Sequence, residues 1–274
     1  MSPETAHNVT LKSLKVVPNS ILRGFQDKTI VDRPVEAMGL KFPNVVGLAA
    51  GLDKNGDYFN ELGQMGFGFI EVGSVTPKAQ PGNAKPRMFR LVEMQAVINR
   101  MGFNNKGLEH LVERVKKRKY QGILGINIGK NLTTPLEHAD DDYVFGMRSA
   151  YPLADYIAVN ISSPNTPGLR SLQRREPLQA LIETLMNERK VLADQCGRLV
   201  PLAIKVSPDM LDEDYVALAE LAIQFGVDGI IAGNTTVERK DVVSSPFAEE
   251  DGGLSGRPLA IRARRVISFL SEQL

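Results

Sequence analysis

Residues 156–168 read YIAVNISSPNTPG. The apolar run Tyr156 to Ile161 is of strand type. It passes directly into amides, hydroxyls, prolines and a glycine, with no acid, histidine or cysteine among them. The same arrangement recurs along the chain. Strand-like runs at Val45 to Ala49, Phe69 to Val72, Ile123 to Ile128, Leu199 to Val206 and Gly229 to Ala232 are each followed by small or polar residues. Between them lie apolar positions at helical spacing: Tyr58, Phe59, Leu62 and Met65; Leu108, Leu111, Val112 and Val115; Leu178, Leu181, Ile182 and Leu185; Val216, Leu218, Ala219 and Ala222. A last helix is predicted from near Pro258, through Val266 and Leu270. Short apolar strands alternating with amphipathic helices predict a parallel sheet covered by helices, with the functional residues just after the strands. The glycine fingerprint of a dinucleotide-binding sheet is missing after every strand, which favours an α/β barrel over an open doubly wound sheet.

Composition narrows the function. The 274 residues carry a formal net charge of +1, so no global basic field points to nucleic acid. A single cysteine, Cys196, excludes a disulfide framework. It and the three histidines are too scattered for metal-ligand spacing, so no metal site is predicted. No apolar run reaches the ~18 residues of a membrane span. Ser2-Pro3-Glu4 reads as a helix start, and the weak apolar stripe Ala6, Val9, Leu14 and Val17 after it fits either a packed helix or part of a membrane-surface helix.

The strand-end residues read as chemistry. Ala50-Gly51 lets backbone approach a ligand closely, and Lys54 offers a cation to an anionic substrate. Ser74 ends the second strand with a hydroxyl. Asn99-Arg100-Met101-Gly102-Phe103-Asn104-Asn105 sets amides beside a phenylalanine, which suits a planar heterocycle with imide edges. Asn127 sits inside an apolar strand and must find a polar partner. Lys205, inward on a buried strand, needs an anion or loses its charge, and an electron-rich cofactor is one candidate partner. Gly233-Asn234-Thr235 repeats the amide-plus-hydroxyl pattern. Gly252 to Pro258 leads into a helix start and could receive a phosphate or simply cap the helix.

Taken in order, AAGLDKNG, NRMGFNN, NIGKN, NISSPNTPGL, IKVSPD, NTT and GGLSGRPL resemble the dihydroorotate dehydrogenases, in particular their quinone-dependent, membrane-associated class (class 2). The resemblance runs from about Pro3 to the last residue. It implies a (β/α)8 barrel of TIM type carrying FMN at the strand ends, oxidation of dihydroorotate to orotate in pyrimidine synthesis, and reoxidation by ubiquinone or menaquinone. Ser163 is implied as catalytic base, with a proton relay near Thr166 and Phe103. The implied substrate-binding residues are Lys54, Asn99, Arg100, Met101, Gly102, Phe103, Asn160, Asn165, Asn234 and Thr235. Those for the cofactor are Ala50, Gly51, Lys54, Ser74, Asn127, Asn160, Lys205, Gly233 and Gly256. The chain divides into an N-terminal helical segment over 1–30, part of a membrane and quinone-site domain, and an FMN-binding barrel over 31–274.

About six βα units are counted where the family has eight, and the first helix starts late. The resemblance therefore implies a chain truncated at both ends, lacking the family's last two strands and the loops that hold the FMN phosphate. A peripheral place on the cytoplasmic face of a bacterial inner membrane is expected, or a soluble protein if the N-terminal truncation is real. Two alternatives stand beside this reading: a soluble enzyme of the same superfamily using fumarate or a nicotinamide, and a non-catalytic remnant unable to hold FMN.

Overall fold

The computed structural model describes residues 1–24, 26 and 33–274. The proposed boundary between residues 30 and 31 lies outside the described residues. The chain opens with α1 (Pro3–Leu14) and α2 (Asn19–Gly24). Ser2 caps α1 as its sequence suggests, its Oγ accepting from the Thr5 N–H at 3.2 Å. An antiparallel hairpin follows, β1 (Val35–Ala37) and β2 (Leu40–Phe42). Next come β3 (Gly47–Leu48), α3 (Phe59–Leu62), β4 (Phe69–Val75), β5 (Met88–Leu91), β6 (Ala96–Asn99) and α4 (Gly107–Val115). The remainder runs β7 (Ile123–Ile128), α5 (Ala139–Ala150), β8 (Tyr156–Asn160), α6 (Arg175–Cys196), β9 (Leu202–Val206), α7 (Asp212–Phe225), β10 (Gly229–Ala232), β11 (Gly253–Gly256) and α8 (Ala260–Gln273).

Six strands form one all-parallel sheet in the order β10-β9-β8-β7-β4-β3. Successive strands are spatial neighbours, with the helices between them. This is the wall of an α/β barrel, six βα units long among the described residues. Register divides the strands into two faces. Ile70, Val72, Leu124, Ile126, Ile128, Ile157, Val159, Leu202, Ile204 and Val206 are essentially inaccessible. They join Tyr143 and Met147 of α5, Leu178, Leu181 and Leu185 of α6 and Leu218 of α7 in one core. The alternate positions are mostly small or polar, with Phe69, Ile123, Tyr156 and Ile231 as the large exceptions. Gly73 pairs with Asn127 and Asn127 with Ala158, while Asn160 pairs with Lys205 and Lys205 with Ile231. The strands are thus half aliphatic and half polar or minimal, rather than wholly apolar.

Besides α2, the β1–β2 hairpin, β5 and β6, which the sequence reading does not contain, three features depart from it. The first strand is shorter than Val45 to Ala49. Helix α5, not predicted, carries its apolar face on Tyr143, Met147 and Ala150, and its first turn on Asp140, Asp141 and Asp142. The stretch from Gly252 to Pro258 does lead into a helix start, Gly256 standing at the N-cap of a 3-10 turn before α8, but its Gly253–Gly256 part is also β11, which pairs antiparallel with β6, itself paired with β5. This small sheet has its own core of Phe89, Ile98, Val242 and Leu254. Beside it, Glu4 of α1 receives two hydrogen bonds from Arg87, at 2.7 and 3.2 Å, that hold its carboxyl below the usual carboxylate range.

Candidate active site

At the C-terminal ends of the parallel strands lies a pocket of about 270 Å³. Each wall comes from a different strand end. The segment after β3 supplies Ala50, Gly51 and Lys54, and β4 supplies Ser74. The insertion between β4 and β7 supplies Asn99, Met101, Gly102 and Phe103. The β8 end gives Asn160, Ser163 and Asn165; β9 gives Lys205; the β10 end gives Asn234 and Thr235. Met88 and Pro164 also line it and went unread in the sequence.

Five predicted residues are not on this wall. Thr166 is buried and does not line the pocket. Asn127 is inaccessible within β7 and donates to Glu71 at 2.8 Å. Gly233 follows β10 without bordering the pocket. Gly256 sits in β11 opposite Ala96, away from the pocket. The Arg100 side chain turns outward, to Glu250 at 2.6 Å and over the Phe89 ring.

The wall is wired by short hydrogen bonds. Asp53 accepts from the backbone N–H groups of Asp57 and Tyr58, at 2.9 and 2.7 Å, which folds the loop carrying Gly51 and Lys54. Gly51 has φ +113, and a Cβ placed there would meet nothing within 4 Å, so a ligand can lie directly on the backbone. Lys54 donates to the Gly51 carbonyl at 2.6 Å, and burial pushes its ammonium down to about 8. Asn160 donates to Ser74 Oγ at 2.8 Å. Ser163 Oγ accepts from the Asn165 N–H at 3.2 Å, and Asn165 Nδ2 donates to the Asn99 carbonyl at 3.2 Å.

Lys205 finds a protein anion that the sequence reading missed. Its Nζ lies 3.7 Å from Glu71 Oε1, with both side chains at most 10% exposed. Glu71 also accepts from Asn127 Nδ2 and from the Tyr156 hydroxyl, at 2.8 and 2.9 Å. Burial, with Glu71 beside it, raises Tyr156 and keeps its hydroxyl protonated. Lys205 separates the pocket from a second, more apolar cavity of about 550 Å³ that Glu71 and Tyr156 border from below. Three buried side-chain oxygens among the described residues have no hydrogen-bond partner: Thr235 Oγ1 on the pocket wall, and Asn104 Oδ1 and Asn127 Oδ1 outside its lining. A cation, exposed backbone, hydroxyl and amide donors and an unsatisfied hydroxyl together suit a planar, electron-rich ring with imide edges. Among the described residues no cluster of histidine, cysteine and acidic groups could hold a metal ion.

A family model described as dihydroorotate dehydrogenase matches residues 34–274. A protein of Cellvibrio japonicus called dihydroorotate dehydrogenase (quinone) is 55% identical over 274 residues, which span all of this chain and 80% of that protein. One of the same name from Teredinibacter turnerae is 52% identical over 275 residues, spanning 81% of its length. The crystal structure of DHODH from Eimeria tenella in complex with ferulenol matches with a TM-score of 0.90 at 37% identity, covering 99% of this chain and 77% of that one.

Proposed function

The chain belongs to the dihydroorotate dehydrogenase family, and from that premise and the strand-end pocket we propose the following reading. The protein oxidises dihydroorotate to orotate, a step of pyrimidine synthesis, and a quinone is the final oxidant. The observation that carries it is the convergence of Lys54, Ser163 and the amides of Asn99, Asn160, Asn165 and Asn234 on one pocket bordered by Lys205. The quinone-dependent name of the relatives supports this reading over a soluble fumarate- or nicotinamide-linked enzyme and over a non-catalytic remnant.

Lys54 holds the substrate carboxylate by a charge-assisted hydrogen bond. Asn99, Asn165, Asn234 and Thr235 take the imide and carboxylate edges, which explains why amides rather than acids line the loops. Ser163 Oγ takes the proton from C5 of the ring as its own hydroxyl proton passes to water along the relay near Thr166 and Phe103. The N–H of Asn165 donates to that oxygen and favours its more negative state. Phe103, on the wall, shields the proton's path from bulk water. The family is flavin-dependent, and FMN is the cofactor we assign. Ala50 and Gly51 would meet it through backbone, Ser74 and Asn160 by hydrogen bonds, and Lys205 as a fixed positive charge. The chemistry a bound FMN supplies is acceptance of the C6 hydride and delivery of both electrons to the quinone.

Among the described residues no helix is long and apolar enough to cross a membrane. The reading extends to peripheral association: α1 and α2 belong to a membrane-facing segment over 1–30 beside a barrel domain over 31–274. Exposed Val9 and Ile21 on those helices, with exposed Val16 in the turn between them, support contact with a bilayer surface, here the cytoplasmic face of a bacterial inner membrane.

The direct test is the protein reconstituted with FMN, given dihydroorotate and, in turn, ubiquinone, menaquinone, fumarate and NAD. Reduction of a quinone is expected. Electron transfer to fumarate or NAD but to neither quinone would overturn the acceptor, and no orotate with any acceptor would overturn the activity.

A pH dependence follows from Lys54. Its ammonium titrates near 8 before substrate binds, so the cation is present below that pH and lost above it. KM for dihydroorotate is expected to be flat below pH 7 and to climb as pH rises past about 8. In Lys54→Met, KM at pH 7 should rise about 10- to 100-fold, for a charged hydrogen bond of ~1.5–3 kcal/mol, and the inflection should disappear. A parent-like pH profile in that variant would remove Lys54 from the carboxylate.

A further inference from the structure

Behind the pocket, the 3-10 turn at Leu169–Gln173 packs across the ends of three neighbouring strands. Arg170, on this turn, sends its guanidinium to all three. Nε donates to the Ser162 carbonyl after β8 at 3.0 Å. Nη1 meets Asp209 after β9 at 2.9 Å. Nη2 donates to the Thr235 carbonyl after β10 at 2.9 Å. Gln173, one turn along, accepts the Ser207 N–H of the β9 end at 2.7 Å.

Two of these anchors, the Ser162 and Thr235 carbonyls, connect directly to the pocket wall. The Ser162 carbonyl belongs to the peptide that carries Ser163. The inaccessible Ser162 hydroxyl donates to Asn160 Oδ1 and accepts from Asn234 Nδ2, both at 2.7 Å. The Ser162 N–H also reaches Asn160 Oδ1, at 3.1 Å. Asn234 Oδ1 accepts from the Thr235 N–H at 2.8 Å. The amide orientations of Asn160 and Asn234 are thereby set by Ser162, and Ser162 is set by Arg170. Asp209 extends the staple, accepting from the Thr236 hydroxyl at 2.5 Å, from the Val237 N–H at 2.9 Å and from Arg262 at 3.2 Å.

We propose that Arg170, locked by Asp209, is a positioning residue for proton abstraction: it fixes the Ser162–Ser163 peptide relative to Thr235 and Asn234, and so sets the approach of Ser163 Oγ to the ring. The inference rests on the dehydrogenase reading above. The planar five-donor fork of arginine suits the task, because one rigid group reaches two carbonyls and a carboxylate at once. A lysine keeps the charge and one contact but cannot span the three loops.

The test compares Arg170→Met and Arg170→Lys with the parent, each loaded with FMN. Turnover is measured with dihydroorotate deuterated at C5, which loses the proton, or at C6, which loses hydride. Arg170→Met should lower kcat about 100-fold, the effect of a reacting group displaced by ~1 Å. Its isotope effect should grow at C5 and stay as in the parent at C6, because only the Ser163 side of the reaction has moved. Orotate binding, read by calorimetry without turnover, should weaken about tenfold. Arg170→Lys should fall between, and it decides the question alone if Arg170→Met does not fold. Parent-like kcat and C5 effect, or isotope effects rising together at both carbons, would overturn the proposal. A parent that makes no orotate would sink the dehydrogenase reading, and this inference with it.

Discussion

Ser163→Ala is expected to slow dihydroorotate oxidation by about 10²–10⁴-fold, the usual contribution of a positioned proton acceptor. The loss should appear in kcat rather than in FMN retention. The Ser163 hydroxyl accepts one hydrogen bond, from the Asn165 N–H, and removing it leaves that small, solvent-adjacent donor to water. Asn160, Ser74 and Lys205, the groups assigned to the flavin, make no contact through Ser163 Oγ. Ser163→Cys is the informative partner variant. A thiol titrates near ~8.5 against a far higher value for serine, so a cysteine at this position should move the rise of the kcat–pH profile to lower pH. Stopped-flow measurement of flavin bleaching by dihydroorotate, before any quinone is added, isolates the step. Bleaching at the parent rate in Ser163→Ala would remove Ser163 from proton abstraction.

The parts of this molecule that sequence exposes are those whose information is local. β7, β8 and β9 are largely apolar text, interrupted by Asn127 and Lys205 and followed at once by glycine, proline, amides or hydroxyls, and that order places the polar residues at one rim of a parallel sheet. The gathering of Lys54, Ser74, Asn160, Ser163, Lys205 and Asn234 around a single cavity depends only on that rule. What stayed hidden depends on pairing between distant segments. GLSG at β11 has little strand character of its own and becomes a strand because β6 offers it an edge. Gly256 is therefore drawn away from the pocket. Arg100 lies in the middle of a binding-type motif, yet side chains alternate across β6 and the adjoining chain, and its own is taken by Glu250 and the Phe89 ring. Helix α5 was missed because its buried face is built from tyrosine, methionine, glycine and alanine rather than an aliphatic stripe. Glu71 reads as an interruption of an apolar strand until register is known. Only then is it seen to face Lys205, Asn127 and Tyr156.

That register makes the buried ion pair the strongest test of the barrel interior. Lys205→Met is expected to destabilise the fold by about 3 kcal/mol, the low end for breaking a buried pair, because Glu71 keeps two neutral donors but loses its cation. In a chain of this size that is a fall in Tm of roughly 6–12 °C. Glu71→Gln should cost a comparable amount for the opposite reason, leaving the ammonium without its anion. The double variant Lys205→Met with Glu71→Gln should recover most of the loss, because neither charge is then left alone. FMN affinity separates structure from function. At 3.7 Å from Glu71 the ammonium is held by charge, beyond ordinary hydrogen-bond length, and its N–H groups remain available to a ligand in the pocket. The double variant should therefore regain thermal stability without regaining FMN, as measured by fluorescence titration. Recovery of both together would make Lys205 a purely structural partner of Glu71. Unchanged Tm in all three variants would mean that the carboxylate and the ammonium do not share the buried face that the strand register assigns them.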